Sequence, residues 1–344
     1  MSDPGDTIDS TDEPADTGPH ELIYLAAAGE AIMEEMARDD RVVLVGEDIE
    51  LYGGGQAVPR FGRERVRSAP ISEGGFTGMA IGAAITGLRP IVELTIASFV
   101  YLASDQIINQ AAKTRYLFGG QASVPIVFRA SMWHNGANAA QHSDRPYPMF
   151  MNVPGLKVVA PSTPWDAKGL MKAAIRDDDP VLVFEDNDLW MVKGEVPGVD
   201  EIVPLGEAAV RREGDDVTIV GISGAAHYAT QAAETLAEDG IEATVIDPRT
   251  LVPLDLDTIL ASVRSTGRLV VADPANRTCS AASEIAARVV ESAFDALRAP
   301  IVRVTTPDTH VPFCRDIERP LYPNPQNIAE AAARLVRGQQ QAGS

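Results

Sequence analysis

The chain has 344 residues, which is long for one domain and suggests roughly two. Apolar residues make up 45% and charged residues 23%, globular values that exclude wholesale disorder. Lys and Arg number 29 against 49 Asp and Glu, a balance of −20 that argues against nucleic-acid or membrane-surface binding, and two cysteines provide neither a disulfide framework nor a Cys-x-x-Cys zinc pair.

Residues 1–20 hold six acids, no Lys or Arg and almost no large apolar side chain. Such a segment cannot bury enough surface to offset its ordering entropy, so it reads as a disordered tail. It is the opposite of an Arg-rich transit peptide and has no apolar signal core, which points to the cytoplasm. The most apolar stretch, Thr77 to Ser104, is interrupted by Arg89, Pro90 and Glu93, and reads as core elements rather than a membrane span.

From there helices and short strands alternate. Helical spacing covers Glu21 to Arg38, then an apolar strand Val42–Val45, a short Arg65–Ala69 segment and a small-residue helix Phe76–Gly87. A strand at Ile91–Leu94, a long helix within Ser98–Leu117 and a strand at Val124–Phe128 follow. A loop rich in Asn, His and Pro spans Ser131 to Pro148, before strand Lys157–Val159, helix Pro164–Arg176 and strand Val181–Phe184. Trp190 to Pro204 carries Gly194, Pro197, Gly198 and Pro204 without periodicity and suits a linker. The second half repeats the pattern, with strands at Asp216–Gly221, Ala243–Asp247, Leu269–Asp273 and Ile301–Val304. Helices are expected near Ala225–Glu238, Leu256–Arg264 and Ala281–Leu297. Short apolar strands between helices predict two doubly wound α/β domains with mostly parallel sheets.

In such sheets ligands sit at the carboxyl ends of strands. Gly46-Glu47-Asp48 ends the first strand, and Ser72-Glu73-Gly74-Gly75 fills a turn before a helix. Glu73 reads as a capping acid, a solvated loop acid or a ligand-facing carboxyl. His142 stands in the long loop, with no local nucleophile to pair with. Ile219-Val220-Gly221-Ile222-Ser223-Gly224 lacks the dinucleotide fingerprint and a phosphate-binding lysine, and reads as a tight strand-to-helix turn.

An ordered series of motifs goes further. Gly46-Glu47-Asp48 is followed by Pro70-Ile71-Ser72-Glu73-Gly74-Gly75-Phe76-Thr77-Gly78, then Gly87-Leu88-Arg89-Pro90-Ile91-Val92-Glu93. Next come Asp105-Gln106-Ile107-Ile108-Asn109-Gln110-Ala111-Ala112-Lys113, Gly119-Gly120-Gln121, Ala140-Gln141-His142-Ser143 and Pro154-Gly155-Leu156-Lys157-Val158-Val159. Asp166-Ala167-Lys168-Gly169-Leu170, Ala174-Ile175-Arg176-Asp177 and Asp247-Pro248-Arg249-Thr250-Leu251-Val252-Pro253-Leu254-Asp255 complete the series. From about Leu22 to Leu335 the chain resembles the beta subunit of the thiamine diphosphate-dependent, decarboxylating component of 2-oxo acid dehydrogenase complexes.

The resemblance implies a transketolase-like fold. A pyrimidine-binding domain would span residues 21–190, a linker 191–203, a transketolase C-terminal domain 204–337 and a tail 338–344. It implies an alpha partner in an α2β2 heterotetramer, with thiamine diphosphate between the subunits. The alpha-type diphosphate motif is absent here, so Mg²⁺ and the diphosphate would be held mainly by that partner. By position, Glu73 matches the glutamate that hydrogen-bonds N1′ of the aminopyrimidine, Phe99 the aromatic packed on that ring, and Glu47 the acid near the cofactor. His142 matches the histidine that handles protons during transfer to lipoamide. Some members hold a structural K⁺ through backbone carbonyls at positions matching Ile126, Ala174, Ile175, Asp177 and Asp179, although Asp177 and Asp179 read equally as solvated loop acids.

The function implied is oxidative decarboxylation of a 2-oxo acid, or reaction of acetoin, with acyl transfer to a lipoyl-bearing acyltransferase core. Two departures touch the acyl and acceptor side. Asp144-Arg145-Pro146-Tyr147-Pro148 replaces a Gln and an aromatic pair, and Met132-Trp133-His134-Asn135 is bulkier than the usual Gly-rich loop. They keep alive a second reading, half of a split transketolase or another two-subunit thiamine enzyme with a non-lipoyl acceptor. A third, a non-catalytic assembly paralogue, is opposed by the retention of Glu73, Phe99 and His142.

Overall fold

The computed structural model describes residues 18–49 and 56–338. The expected acidic tail lies outside the described residues as far as residue 17; it ends earlier than the sequence suggests, because His20 already opens a strand. Of the expected tail at 338–344, residues 339–344 also lie outside.

In chain order the first half runs β1 (His20–Ile23), α1 (Tyr24–Arg38), β2 (Val42–Gly46), α2 (Ala57–Arg65), β3 (Val66–Ser68), α3 (Glu73–Ile85), β4 (Arg89–Ile96), α4 (Ala112–Leu117), β5 (Val127–Met132), α5 (Tyr147–Met151), β6 (Lys157–Val159), α6 (Pro164–Arg176), β7 (Val181–Asp186) and β8 (Lys193–Val196). The second half runs β9 (Ala209–Arg212), β10 (Val217–Gly221), α7 (Gly224–Glu238), β11 (Ala243–Asp247), β12 (Thr250–Val252), α8 (Leu256–Thr266), β13 (Leu269–Asn276), α9 (Ala281–Ala293), β14 (Val302–Thr306), α10 (Arg315–Glu318) and α11 (Pro325–Val336).

The first sheet has seven strands in the order β12-β6-β7-β5-β4-β2-β3, and the second has five in the order β14-β13-β10-β11-β9. Both are parallel except for one antiparallel edge strand each, β12 on β6 and β9 on β11. All residues of β4, β5, β7, β10 and β11 are buried, which is why these strands read as apolar runs without alternation. The α/β reading therefore holds, with the two edges as additions.

Helix ends follow local chemistry. Thr163 caps α6 by accepting the Asp166 N–H, with Pro164 in the first turn, and Asn324 and Asn327 form a reciprocal capping box on α11. Helices α1 and α6 pack through an ionic ladder set by four-residue spacing. The fully buried Lys168 ammonium lies 2.8 Å from Glu34, Lys172 lies 2.7 Å from the same carboxylate, and Arg176 lies 2.6 Å from Glu35.

Several sequence boundaries need correction. The expected long helix within Ser98–Leu117 is three pieces: a 3₁₀ turn Ala97–Tyr101, a π-helical turn Gln106–Ala111 and α4. The chain leaves β4 through Thr95 at φ +56°, which leaves no straight entry into an α-helix. The helix expected over Ala281–Leu297 ends as α9 at Ala293 and continues as a 3₁₀ turn. The strand expected at Val124–Phe128 begins at Val127 and runs on to Met132. Within the stretch read as a linker, β8 pairs antiparallel with β1, His20 opposite Val196, and Val196 is buried.

The two halves are joined by more than that stretch. β12 completes the first sheet, with Thr250 opposite Val159. Arg211 of β9 contacts Asp166 of α6 and lies 2.7 Å from Asp247, while Arg249 lies 2.8 Å from Asp166. Burial raises the Asp247 carboxyl, and Arg211 opposes that rise.

Candidate active site

The carboxyl ends of β2, β4 and β5, neighbours in the sheet, form one rim. Gly46 closes β2 where a Cβ would stand 2.2 Å from the Glu93 carbonyl oxygen, so only glycine permits this approach of β2 to β4. Glu47 follows immediately, 2% exposed, and neither of its carboxyl oxygens has a hydrogen-bond partner among the described residues. Burial, then the charges of Glu73, Asp48 and Glu93, push its pKa up to about 7. A buried carboxyl without donors is costly unless a ligand supplies them.

Glu73 is the first residue of α3 and is 5% exposed, so it is not a solvated loop acid. Its charge helps raise the Glu47 carboxyl, so the two buried acids lie within electrostatic reach of each other. Beneath them lies a buried ionic row across three strands. Arg129 of β5 donates to Glu93 of β4 at 2.6 Å and to Glu185 of β7 at 2.7 Å, and the Glu93 carboxyl also accepts the Thr95 N–H.

Phe99 sits in the 3₁₀ turn after β4, and His142 in a second 3₁₀ turn in the loop after β5. The structure brings these two together edge to face, ring centroids 5.5 Å apart at 74°. The loop that carries His142 has three non-glycine residues with positive φ at every second position: Asn135, Ala137 and Ala139. Each such residue costs on the order of 1–2 kcal/mol, so the loop is held by its surroundings rather than by its own preference.

Those surroundings are built from the unusual residues. His134 is buried, with Nε2 2.9 Å from Asp188 and its ring 4.8 Å from Tyr322. Burial alone would raise the Asp188 carboxyl; the His134 hydrogen bond and charge, with Tyr228 and Asn135, outweigh it and bring the pKa to about 2. Arg145 donates to the carbonyls of Trp133 and Ser143, tying together the two limbs of the loop. Burial raises the Asp144 carboxyl, with the charge of Arg145 opposing the rise. The Tyr147 hydroxyl donates to Asp273 of the second half. Sequence reading identified this segment as altered but not the second-half side chains that receive it, Tyr228, Asp273, Glu318 and Tyr322. No local motif marks them. Arg129, Glu93 and Glu185 did leave a signal, each being a charged residue inside a fully buried strand.

The five candidate K⁺ carbonyls lie away from this rim, before β5, in the last turn of α6 and between α6 and β7. There Arg89 donates to the carbonyls of Ile175 and Asp177, while those of Ala174 and Ile126 accept the N–H groups of Asp177 and Val181. Lys157 pairs with Asp177, and Arg115 with Asp179. Among the described residues no group of three or more His, Cys, Asp or Glu side chains is placed to hold a metal ion. No described helix is long and apolar enough to cross a membrane.

Comparison with known proteins matches this architecture. Residues 20–191 match the family "Transketolase, pyrimidine binding domain", and residues 206–328 match "Transketolase, C-terminal domain". The acetoin:2,6-dichlorophenolindophenol oxidoreductase subunit beta of Bacillus subtilis is 46% identical over 327 residues, 90% of this chain and 96% of that protein. The 2-oxoisovalerate dehydrogenase subunit beta of the same organism is 43% identical, covering 92% and 98%. The pyruvate dehydrogenase E1 component subunit beta of Rickettsia felis is 44% identical, covering 90% and 96%. Among solved structures, a split gene transketolase described as an inactive beta4 tetramer superposes with a TM-score of 0.76. It is 22% identical, covers 93% of this chain and 99% of that one, and so supports the fold alone.

Proposed function

Because the chain belongs to the transketolase-like beta subunits of 2-oxo acid and acetoin dehydrogenases, we propose that its rim of Glu47, Glu73, Phe99 and His142 works on thiamine diphosphate shared with an alpha partner. The observation that carries this reading is the pair of unpartnered, buried Glu47 oxygens beside Glu73. An aminopyrimidine suits them, since its amino group donates to one carboxyl, its ring nitrogen meets the other, and its flat face suits Phe99. When bound, the cofactor supplies the nucleophilic carbon that attacks the substrate carbonyl.

This chain's residues then have distinct tasks. Glu73 holds and moves a proton at N1′ of the pyrimidine, which requires a carboxyl held out of water. Glu47, near half-protonated at neutral pH, fixes the ring by hydrogen bonding. Phe99 orients both the ring and His142. His142 serves proton transfer as the acyl group passes to the lipoyl sulfur of an acyltransferase core. Mg²⁺ and the diphosphate belong to the alpha partner in an α2β2 assembly, in the cytoplasm. A structural K⁺ would share the carbonyls of Ile126, Ala174, Ile175, Asp177 and Asp179 through their second lone pairs, beside Arg89.

The substrate is acetoin or a 2-oxo acid. The test combines the chain with its alpha partner, thiamine diphosphate and Mg²⁺, and follows reduction of an artificial electron acceptor over acetoin and a panel of 2-oxo acids. Turnover that needs both chains and is confined to this panel is expected. Silence of the assembled pair on every member would sink the reading.

A further inference from the structure

The loop that presents His142 is held by a side chain from the far end of the chain. Glu318, the last residue of α10, is fully buried. Its two carboxylate oxygens accept the backbone N–H groups of Asn135 at 2.7 Å and Ala137 at 2.8 Å, and the Tyr322 hydroxyl donates to it at 3.3 Å. No Lys, Arg or His pairs with it among the described residues. A buried carboxylate normally needs a cation or several donors, and here two of the three come from one loop.

Both donors, Asn135 and Ala137, are left-handed residues. Their N–H groups converge as in the backbone concavities that bind anions, so the carboxylate acts as a built-in anion holding a conformation the residues would otherwise leave. A second route leads to the other limb. Tyr322 takes the Arg145 guanidinium on its ring face at 4.6 Å, and Arg145 donates to the Ser143 carbonyl next to His142. One acid thereby reaches the loop on both sides of His142.

We propose that Glu318 is a positioning residue of the active site: delivered from the second domain, it fixes the 135–145 loop so that His142 stands against Phe99. This rests on the reading of His142 given above. Glu318 acts through the loop and need not touch substrate or cofactor.

The experiment uses the assembled enzyme with its alpha partner and compares Glu318→Gln, His142→Ala and the double variant in the two half-reactions. Glu318→Gln preserves size but keeps only one acceptor oxygen, so one of the two N–H groups faces an amide NH₂. Displacement of a catalytic group by about 1 Å costs on the order of 10²-fold. Transfer to lipoamide should therefore fall by about 10- to 100-fold while decarboxylation stays near wild type. The double variant should be no worse than His142→Ala alone, since both act through one group. Losses shared equally by the two half-reactions, losses that multiply in the double variant, or no loss would overturn the proposal. A silent His142→Ala would instead remove the role of His142. Amide exchange judges Glu318 independently of that role and of whether the variant assembles. In the unmutated enzyme the Asn135 and Ala137 N–H groups should be strongly protected despite lying in a loop, and fast exchange there would overturn the proposal.

Discussion

Glu47 and Glu73 are two buried carboxyls within electrostatic reach, and burial together with the charge of Glu73 pushes the Glu47 carboxyl up to about 7, out of the ordinary carboxylate range. This has a stability consequence of definite sign. Between the usual value of 4.5 and about 7, the folded chain holds a proton on Glu47 that the unfolded chain has released. Stability of the cofactor-free chain should therefore fall as pH rises through that window and level off above it. Glu47→Gln should raise the melting temperature at the alkaline end and flatten the dependence. A variant that keeps the full pH slope would refute this account.

Glu73→Gln separates chemistry from architecture. If Glu73 moves a proton at N1′, kcat of the assembled enzyme should drop by about 10²–10⁴-fold. If it merely faces the dipole of α3, the cost is about 0.3–1 kcal/mol of stability with turnover intact. Exchange of the cofactor C2 hydrogen, followed by NMR in a variant of unchanged melting temperature, decides between them.

Arg129 neutralises two buried acids. Arg129→Met leaves Glu93 and Glu185 facing each other uncompensated, a change expected to cost about 3–5 kcal/mol. Burial already raises the Glu93 carboxyl, with Arg129 opposing it, so removing Arg129 should leave an acid that binds a proton more readily. Urea midpoints should consequently fall more at mildly alkaline than at mildly acidic pH. Equal losses at both would count against the explanation.

Potassium should act on stability rather than on the chemical step, because its proposed carbonyls lie away from the rim of Glu47 and Glu73. Replacing Na⁺ by K⁺ at constant ionic strength should raise the melting temperature, increasingly so as K⁺ concentration rises. Identical melting curves in the two salts would mean that no K⁺ is held there, Arg89 and backbone N–H groups being the partners of those carbonyls.

Much of the fold was legible because it is written in buried, continuous apolar strands. Val42–Val45, Lys157–Val159, Ala243–Asp247 and Leu269–Asp273 coincide with or fall within strands of the structure. What escaped was short or irregular. β1, β8, β9 and β12 have three or four residues and lie in the two-stranded sheet or at sheet edges; partly exposed side chains blur the periodicity of the first three, and β12 is too short to show one. The segment around Phe99 has helical spacing, which cannot distinguish 3₁₀, π and α turns. At the site, Glu47, Glu73 and His142 lie in local motifs and Phe99 follows from its position in the family resemblance, whereas Glu318 meets the loop from more than 170 residues away in sequence.

The strand β12 has a consequence for dividing this protein. Residues 250–252 follow β11, yet they bond to Val158 and Val159 of the first sheet. A fragment ending in the stretch between the halves would leave β6 with an open row of peptide groups, a template for pairing with another copy. The complementary fragment would carry an orphan strand bearing the buried Thr250 and Leu251. Recombination with a related chain at the stretch between the halves therefore depends on the donor supplying a matching triplet for β6, and a cut after β12 is no escape, because it would divide the second sheet between β10 and β13.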